Sequence, residues 1–475
     1  MLWLALYLPR FPLEVLTRGE NDTAPRAVVE QQQILLRDDS AAALGVEPGM
    51  GRPAAMALAP GLRLFRASPE RERQALARLA DWCLQFSSQV SRQPPAGILL
   101  EIGGSLRLFG GLPRLRQAVV AGANRLGYQV QTGVAGTPRG AWLLARAGDD
   151  TPVIDSDQLR HRLARLPWGL LELAPHQRQA LQGLGLRTLG ECMDLPRGDL
   201  GRRLGQDLLL QLEQALGERP DPRRMHHPEH RYRGQLELPA AAHDTEALLF
   251  ALQRLLQELC GMLRGVEGGV QELAVSLEHE RRQPTRLLIG LLEHSRDPRR
   301  LLAVCRERLE RQPLPAPAHA VALLAERIAP LAPEPMSLPG ELDNGPSKHW
   351  RQLAERLRAR LGEQTVSGLG TRPDHRPESA WSRPPAGEAI QQQANPHRPL
   401  WLLETPKPLE QHRGRPCWNG PLVLRGGPER LESGWWDGRD MARDYYTAQA
   451  PDGALVWIYR ERRPPGGWFL HGFFA

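Results

Sequence analysis

The sequence predicts a multidomain α+β protein that ends in a C-terminal α/β extension, and three observations carry that expectation. A chain of 475 residues is too long for one hydrophobic core and calls for about three domains or more. Between Arg231 and Pro330 the apolar periodicity switches between strand and helix spacing in the order βαββαβ, a split ferredoxin-like motif. Proline-rich sequence from Pro313 to Gly345 ends that unit, and eight of the twelve tryptophans follow residue 345, which points to a further module.

Leu2 to Leu8 reads as an apolar strand buried in the centre of an α/β sheet. Strand and helix alternate over 1–26 and 69–166, where Gly97 to Leu108 reads as two short strands around a Gly103-Gly104 turn. The intervening 27–68 is an insertion, and its Asp38 and Asp39 precede a helix start, where carboxylates cap and complement the helix dipole. Leu181 to Leu189, inside 167–228, reads as helix, glycine hairpin, helix. Gly183 and Gly185 there would let backbone N–H groups approach a phosphate, with Arg187 and Thr188 beside them; a tight turn between helices accounts for the same glycines. Gly201 and Gly205, with Arg202 and Arg203, form a less regular second candidate.

Over 229–330 the strand Gln235 to Leu238 precedes a helix with Leu248, Leu249, Leu252, Leu255, Leu256, Leu259 and Leu263 on one stripe. Leu273, Val275 and Leu277 alternate as a strand, Thr285 to Leu292 makes the next, and Asp297 to Arg311 and His319 to Ile328 supply the last helix and strand. Arg281, Arg282 and Arg286 near the central hairpin are either DNA contacts or a solvated face. Beyond the 331–346 linker, Trp350, Leu353, Leu357 and Leu361 make one apolar stripe on a short helix ringed by Arg351, Arg356, Arg358 and Arg360. Such a stripe must be buried, in its own domain or on a partner. The rest of 347–475 reads as an interaction region closing in short antiparallel strands, with turns at Asp452-Gly453 and Pro464 to Gly467. Trp435 and Trp436 there are core residues or interface anchors.

A net charge of +7 permits a polyanionic partner. That signal is diluted by 54 acidic residues, and only Lys348 and Lys407 are lysine, so coding bias toward arginine explains it equally. Cys83, Cys192, Cys260, Cys305 and Cys417 are widely spaced without a CxxC pair, which excludes a disulfide framework and a zinc site. The apolar start lacks the basic flank of a secretory signal, and no apolar run reaches membrane-spanning length. The expectation is a cytoplasmic, nucleoid-associated protein without cofactor or metal.

Ser40 to Met50 resembles the fingers segment of the Y family of lesion-bypass DNA polymerases, whose framework Gly45, Val46, Gly49 and Met50 match. The resemblance places the two side chains that grip the incoming triphosphate on Ala42 and Asp39. It places the first metal ligand on Ala5, and the Asp-Glu pair on Ala96 and Gly97, ahead of the matching strand Leu100 to Ser105. Glu101 alone survives nearby. Phosphoryl transfer needs two divalent ions held by carboxylates, so these losses imply a protein that does not polymerise. On Leu106 to Gly111, Gly133 to Pro138, Ala145-Arg146, Gly434 to Gly438 and Arg443 to Tyr446, the chain is identified as a member of the ImuB family, catalytically degenerate relatives of those polymerases.

The resemblance implies a right hand: palm in 1–26 and 69–166, fingers in 27–68, a helix-hairpin-helix thumb in 167–228 and a ferredoxin-like little finger in 229–330. It implies a clamp-binding peptide at Met336, Ser337 and Leu338. It further implies a noncatalytic factor of DNA repair and damage-induced mutagenesis, which holds primer-template or single-stranded DNA during translesion synthesis. Such a factor links the sliding clamp to an error-prone DnaE-type polymerase and to the RecA-like ImuA, with Trp350, Leu353, Leu357, Trp435 and Trp436 as candidate partner contacts. The rival readings are a working polymerase that uses Asp38, Asp39 and Glu101 as ligands, and a protein scaffold without DNA binding.

Overall fold

The computed structural model describes residues 1–19, 24–242, 244–312, 314–331, 345–384, 386, 398–399 and 401–474. Its contacts divide into two units, Met1–Leu361 and Gly362–Ala475. In the first, β1 (Trp3–Tyr7) leads into α1 (Phe11–Thr17). The insertion follows: β2 (Arg26–Glu30), β3 (Gln33–Arg37), α2 (Asp39–Ala43), α3 (Arg52–Leu58) and β4 (Arg63–Arg66), with a small sheet in the order β3-β2-β4. The chain then returns as α4 (Pro69–Cys83), β5 (Val90–Gln93), β6 (Gly97–Glu101), α5 (Leu112–Arg125), β7 (Gln131–Ala135) and α6 (Pro138–Ala147).

The larger sheet runs β5-β6-β1-β7. β1 pairs antiparallel on both sides, Ala5 opposite Leu99 in β6 and opposite Gly133 in β7. Strand side chains alternate between faces. Leu2, Leu4, Leu6 and Leu8 enter a core with Leu76 and Leu79 of α4 and Leu115 and Val119 of α5; Trp3 and Ala5 enter another with α6. The two-strand reading of Gly97 to Leu108 is corrected: β5 is the partner of β6, and Gly103–Ser105 is one helical turn. The carboxylate of Glu101 winds that turn by accepting the N–H groups of Leu2 at 3.0 Å and Gly103 at 3.2 Å.

Five short helices follow: α7 (Ser156–Ala164), α8 (Pro175–Gly183), α9 (Leu189–Met193), α10 (Arg197–Leu204) and α11 (Gln206–Leu216). Their apolar residues Leu159, Leu163, Leu181, Leu189, Leu208 and Leu212 share a single core with Trp3, Ala5 and Trp142. The helical segment is thereby welded to one face of the first sheet.

The leucine stripes then fold as β8 (Tyr232–Ala242), α12 (Thr245–Gly265), β9 (Gly268–His279), β10 (Thr285–Ser295), α13 (Pro298–Arg311) and β11 (Ala318–Ala325). The sheet order is β10-β9-β11-β8, with antiparallel neighbours. Each βαβ half is split by a strand of the other, and both helices bury their stripes against the sheet. A short β12 (Ala329–Pro330) pairs with the start of β9.

This subdomain is locked to the first sheet through α12 and α4. A Cβ on Gly261 would overlap Trp82, and one on Gly265 would overlap Leu84, so the two glycines set the helix spacing. Beside them Glu258 is wholly buried. It pairs with Arg18 at 2.7 Å and Arg78 at 2.8 Å and accepts the Tyr232 hydroxyl at 3.1 Å. Burial pushes the Glu258 pKa up, but the two arginines outweigh it and hold the carboxyl below its usual range.

α14 (Gly345–Leu361), expected to open the C-terminal region at 347, instead belongs to the first unit and packs on α13. Its anchor is Glu355, a buried carboxylate that takes Arg300 at 2.6 and 2.8 Å and the N–H of Leu292 at 2.8 Å. The second unit is therefore a sheet protein. A small pair, β13 (Gly370–Thr371) and β14 (Trp381–Ser382), precedes β15 (Trp401–His412), β16 (Arg415–Cys417), β17 (Val423–Ser433), β18 (Met441–Gln449), β19 (Leu455–Glu461) and β20 (Gly467–Phe473). These six form an antiparallel sheet in the order β16-β15-β20-β19-β18-β17. Among the described residues no helix is long and apolar enough to cross a membrane.

Truncating one partner of a buried charge network strands the others, at a cost on the order of 3–5 kcal/mol. Glu258→Ala is accordingly expected to lower the urea midpoint of the first unit by that equivalent, with Arg18 and Arg78 left buried and uncompensated. The same network makes the parent acid-sensitive, because a depressed carboxylate contributes stability above its unfolded pKa and loses it as pH falls through the folded one. An unchanged midpoint in urea titrations at neutral pH would contradict the assignment.

Candidate functional site

The positions where the resemblance expects metal ligands are filled with packed side chains. Gly133 of β7 has no Cβ to hold α6 off the sheet, and one there would overlap the backbone of Ala141. Thr137 caps the helix by accepting the Gly140 N–H at 3.1 Å. α6 therefore lies close on the sheet and drives Trp142 over Gly97, where any Cβ would overlap the indole ring. Trp142 meets Tyr7 edge-on at 5.5 Å, and the Arg146 guanidinium covers both rings at 5.9 and 6.0 Å. Ala5 and Ala96 are buried. Tyr7 pairs with Gly97, and Leu8 donates its N–H to Ala96 O at 2.9 Å, so the three expected ligand positions are neighbours across two strands. Ala5 and Gly97 share the face covered by Trp142, whereas Ala96 is buried in the core on the opposite face.

The three acids considered as substitute ligands are each used locally. Glu101 holds the N–H groups of Leu2 and Gly103. Asp38 caps α2 by accepting the Ala41 N–H at 2.8 Å. Asp39 pairs with Arg10, which donates at 2.9 Å and through a second N–H, and this bond to Arg10 holds the Asp39 carboxyl below its usual range. Among the described residues no group of three or more His, Cys, Asp or Glu could hold a metal ion. In the insertion the framework survives: Gly45 and Gly49 adopt the left-handed φ values +83° and +87°, and Val46 enters the core. Ala42 offers no donor, and the carboxylate of Asp39 would repel a triphosphate.

The glycine hairpin is present between α8 and α9, with Gly183 and Gly185 exposed and Gly185 at φ +73°. Its backbone donors are occupied. The N–H groups of Leu184, Gly185 and Leu186 bond to Ala180, Gln182 and Leu181 at 3.0, 3.0 and 3.2 Å. Those of Arg187 and Thr188 both go to one oxygen of Glu191, at 2.5 and 3.1 Å, in a capping box that Thr188 Oγ1 completes by accepting the Glu191 N–H. Those two donors hold the Glu191 carboxyl below its usual range. A phosphate at this helix start meets a resident carboxylate; what projects outward is the Arg187 side chain.

On the solvent face of the four-stranded sheet, Gln235, Ala322, Ser276 and Arg286 stand in one row of the register, and Arg233, Leu324, Ala274 and Leu288 in the next. Arg233 thus stands on one edge strand and Arg286 on the other, one row apart, with Ala322, Ser276, Leu324 and Ala274 on the strands between. Arg281 is exposed, whereas Arg282 donates to Pro315 O at 2.7 Å and braces the turn. Arg233 was not among the sequence candidates, although its alternation with buried Tyr232 and Leu236 marks it as outward-facing. Met336, Ser337 and Leu338 lie outside the described residues. Trp350 and Leu353 are exposed and Leu357 half-buried on α14. Trp435 and Trp436 are exposed on the β17–β18 turn, which Arg376 steadies by pairing with Asp437 at 2.7 Å and lying 5.7 Å from the Trp436 ring.

The sealed site yields a direct expectation. Gly97→Glu, alone or with Ala5→Asp and Ala96→Asp, must displace Trp142, and such overpacking costs about 1–3 kcal/mol. The variants are expected to melt lower than the parent and to incorporate no nucleotide with magnesium or manganese. Metal-dependent extension by the triple variant would contradict this.

No family model matches the chain. Protein ImuB of Caulobacter vibrioides (strain NA1000 / CB15N) is 27% identical over 458 residues, covering 91% of this chain and 100% of that protein. The protein of the same name from strain ATCC 19089 / CIP 103742 / CB 15 matches at the same 27% over the same 458 residues. Among solved structures, a Dbh ternary complex with partially disordered substrates is 16% identical with a TM-score of 0.39, covering 70% of this chain and 100% of that chain. DinB from Sulfolobus solfataricus gives the same 16% identity, TM-score of 0.39 and coverage of 70% and 100%.

Proposed function

We propose that this chain, a homologue of Protein ImuB, is a noncatalytic polymerase-like factor of DNA repair and induced mutagenesis that holds primed or single-stranded DNA without extending it. The observation that carries the reading is Trp142 packed over Gly97 with Ala5 in the same core, while Ala96 is buried on the other face of the sheet: packed side chains in place of exposed carboxylates support a chain that holds no catalytic ions there. The polarity of the four-stranded sheet supports the DNA half. Arg233 and Arg286 stand on the two edge strands of that face, and arginine contacts of that kind to a duplex backbone position DNA without reading its sequence.

The finer roles rest on the resemblance. The 331–346 linker would reach the sliding clamp through Met336, Ser337 and Leu338. The exposed tryptophans and α14 would serve the error-prone DnaE-type polymerase and ImuA.

The test is a pair of assays on the purified full-length chain. Primer extension with magnesium or manganese is expected to give no product. DNA affinity should fall steeply with salt, and Arg233→Ala and Arg286→Ala should each reduce the slope by about one. Glu191→Gln, which removes the carboxylate beside the hairpin, should tighten binding about twofold to threefold if phosphate approaches Arg187; no change moves the phosphate contact off the hairpin. A chain that binds no DNA at low salt would favour the scaffold reading.

A further inference from the structure

α14 is docked by its polar side. Glu355 is sealed against Arg300 and the Leu292 N–H, Arg356 reaches Glu307 at 2.6 Å, and Arg351 reaches Glu293 at 3.0 Å. Among the described residues, Ala354 and Ala359 supply the apolar contact from that side. The apolar stripe points the other way: Trp350 is 61% exposed, Leu353 is 47% exposed and Leu357 is half-buried. An amphipathic helix held by a buried ion pair with its hydrophobic face outward is the reverse of the usual arrangement, in which the apolar stripe faces the core. Because Trp350 and Leu353 are left largely in solvent, a partner is the natural occupant of this stripe.

The chemistry of that occupant follows from what borders the stripe. The helix sequence carries one carboxylate, Glu355, and it is buried; the exposed side chains flanking the stripe include His349 and Arg360. Trp350, Leu353 and Leu357 stand at i, i+3 and i+7, the spacing with which one helix anchors another. A second copy of the chain would set arginines against arginines. Nucleic acid would find a use for the tryptophan but none for the leucines, since aliphatic side chains offer bases no stacking surface. We infer that this face of α14 is a docking surface for an acidic amphipathic helix of a partner protein, whose leucines cover Trp350, Leu353 and Leu357 and whose carboxylates meet Arg360. The inference rests on the reading of the chain as a factor that joins other proteins, and it names the surface and the chemistry.

The experiment uses the full-length chain and fluorescent synthetic helices, followed by anisotropy. One peptide carries leucines at i, i+3, i+4 and i+7 flanked by glutamates; a second replaces every glutamate by lysine; a labelled oligothymidine is the third probe. The acidic peptide is expected to bind, to weaken as salt rises, and to lose about tenfold in affinity against the double variant Trp350→Glu with Leu353→Glu. The lysine peptide should not bind. The variant should keep the parent's melting temperature and its oligothymidine binding. Equal binding of the acidic peptide to parent and variant would overturn the inference, as would preference for the lysine peptide. Loss of oligothymidine binding in the variant would assign the face to nucleic acid. A parent dimer that the variant dissolves would assign it to a second copy, and a large drop in melting temperature would mean that the chain itself covers the stripe. Primer extension by the parent would sink the noncatalytic reading while leaving the peptide result intact, so the two failures are separable.

Discussion

β1 has no free face. Its even-numbered leucines are committed to α4 and α5, and Trp3 and Ala5 are committed to α6 and the helices from α7 to α11. Ala5 is the smallest side chain that lets that second core run unbroken across the sheet. An ionised carboxylate there would be buried without a counter-ion, which costs far more than a domain's net stability. Trp142, Tyr7 and Arg146 fill the space over Gly97, and the helical segment shares the same core.

Charge does the fastening elsewhere in the first unit. Glu258 joins Arg18 and Arg78 across α12, α1 and α4, and Glu355 joins α14 to Arg300. A buried pair of this kind adds little net stability over a well-packed apolar contact, but breaking it is costly, so it specifies one arrangement. Subdomains held this way keep a fixed relation between the β8 to β11 sheet and the first sheet. Across the insertion the Arg10–Asp39 pair is exposed instead, and a surface pair of that kind contributes little.

Periodic elements were legible in the sequence. The stripe from Leu248 to Leu263 and the alternation of Leu273, Val275 and Leu277 fold as read, because each repeats on one face at the spacing of its element. The strand order was not legible, since periodicity says nothing about which strand inserts between two others. Nor was the docking of α14: its Trp350 to Leu361 stripe suggests burial, whereas the helix is anchored by Glu355 and Arg300, a pair 55 residues apart that leaves no local pattern. The absence of carboxylates at Ala5, Ala96 and Gly97 could be read from the sequence, but the packing of Trp142 over Gly97 could not, because it depends on α6 settling onto Gly133. The capping box from Thr188 to Glu191 was readable as a short motif and changes the view of the glycine hairpin, whose N–H groups already have acceptors.

The claim at the centre of this account is that DNA is held where no nucleotide can be. The direct measurement is equilibrium binding of a labelled primed template to the full-length chain, followed by titration of each deoxynucleoside triphosphate in the presence of manganese. The account predicts a salt-sensitive binary complex whose affinity and dissociation rate are the same with any triphosphate or none. A complex selectively stabilised by the nucleotide complementary to the templating base would show that a working cradle exists, and would contradict it.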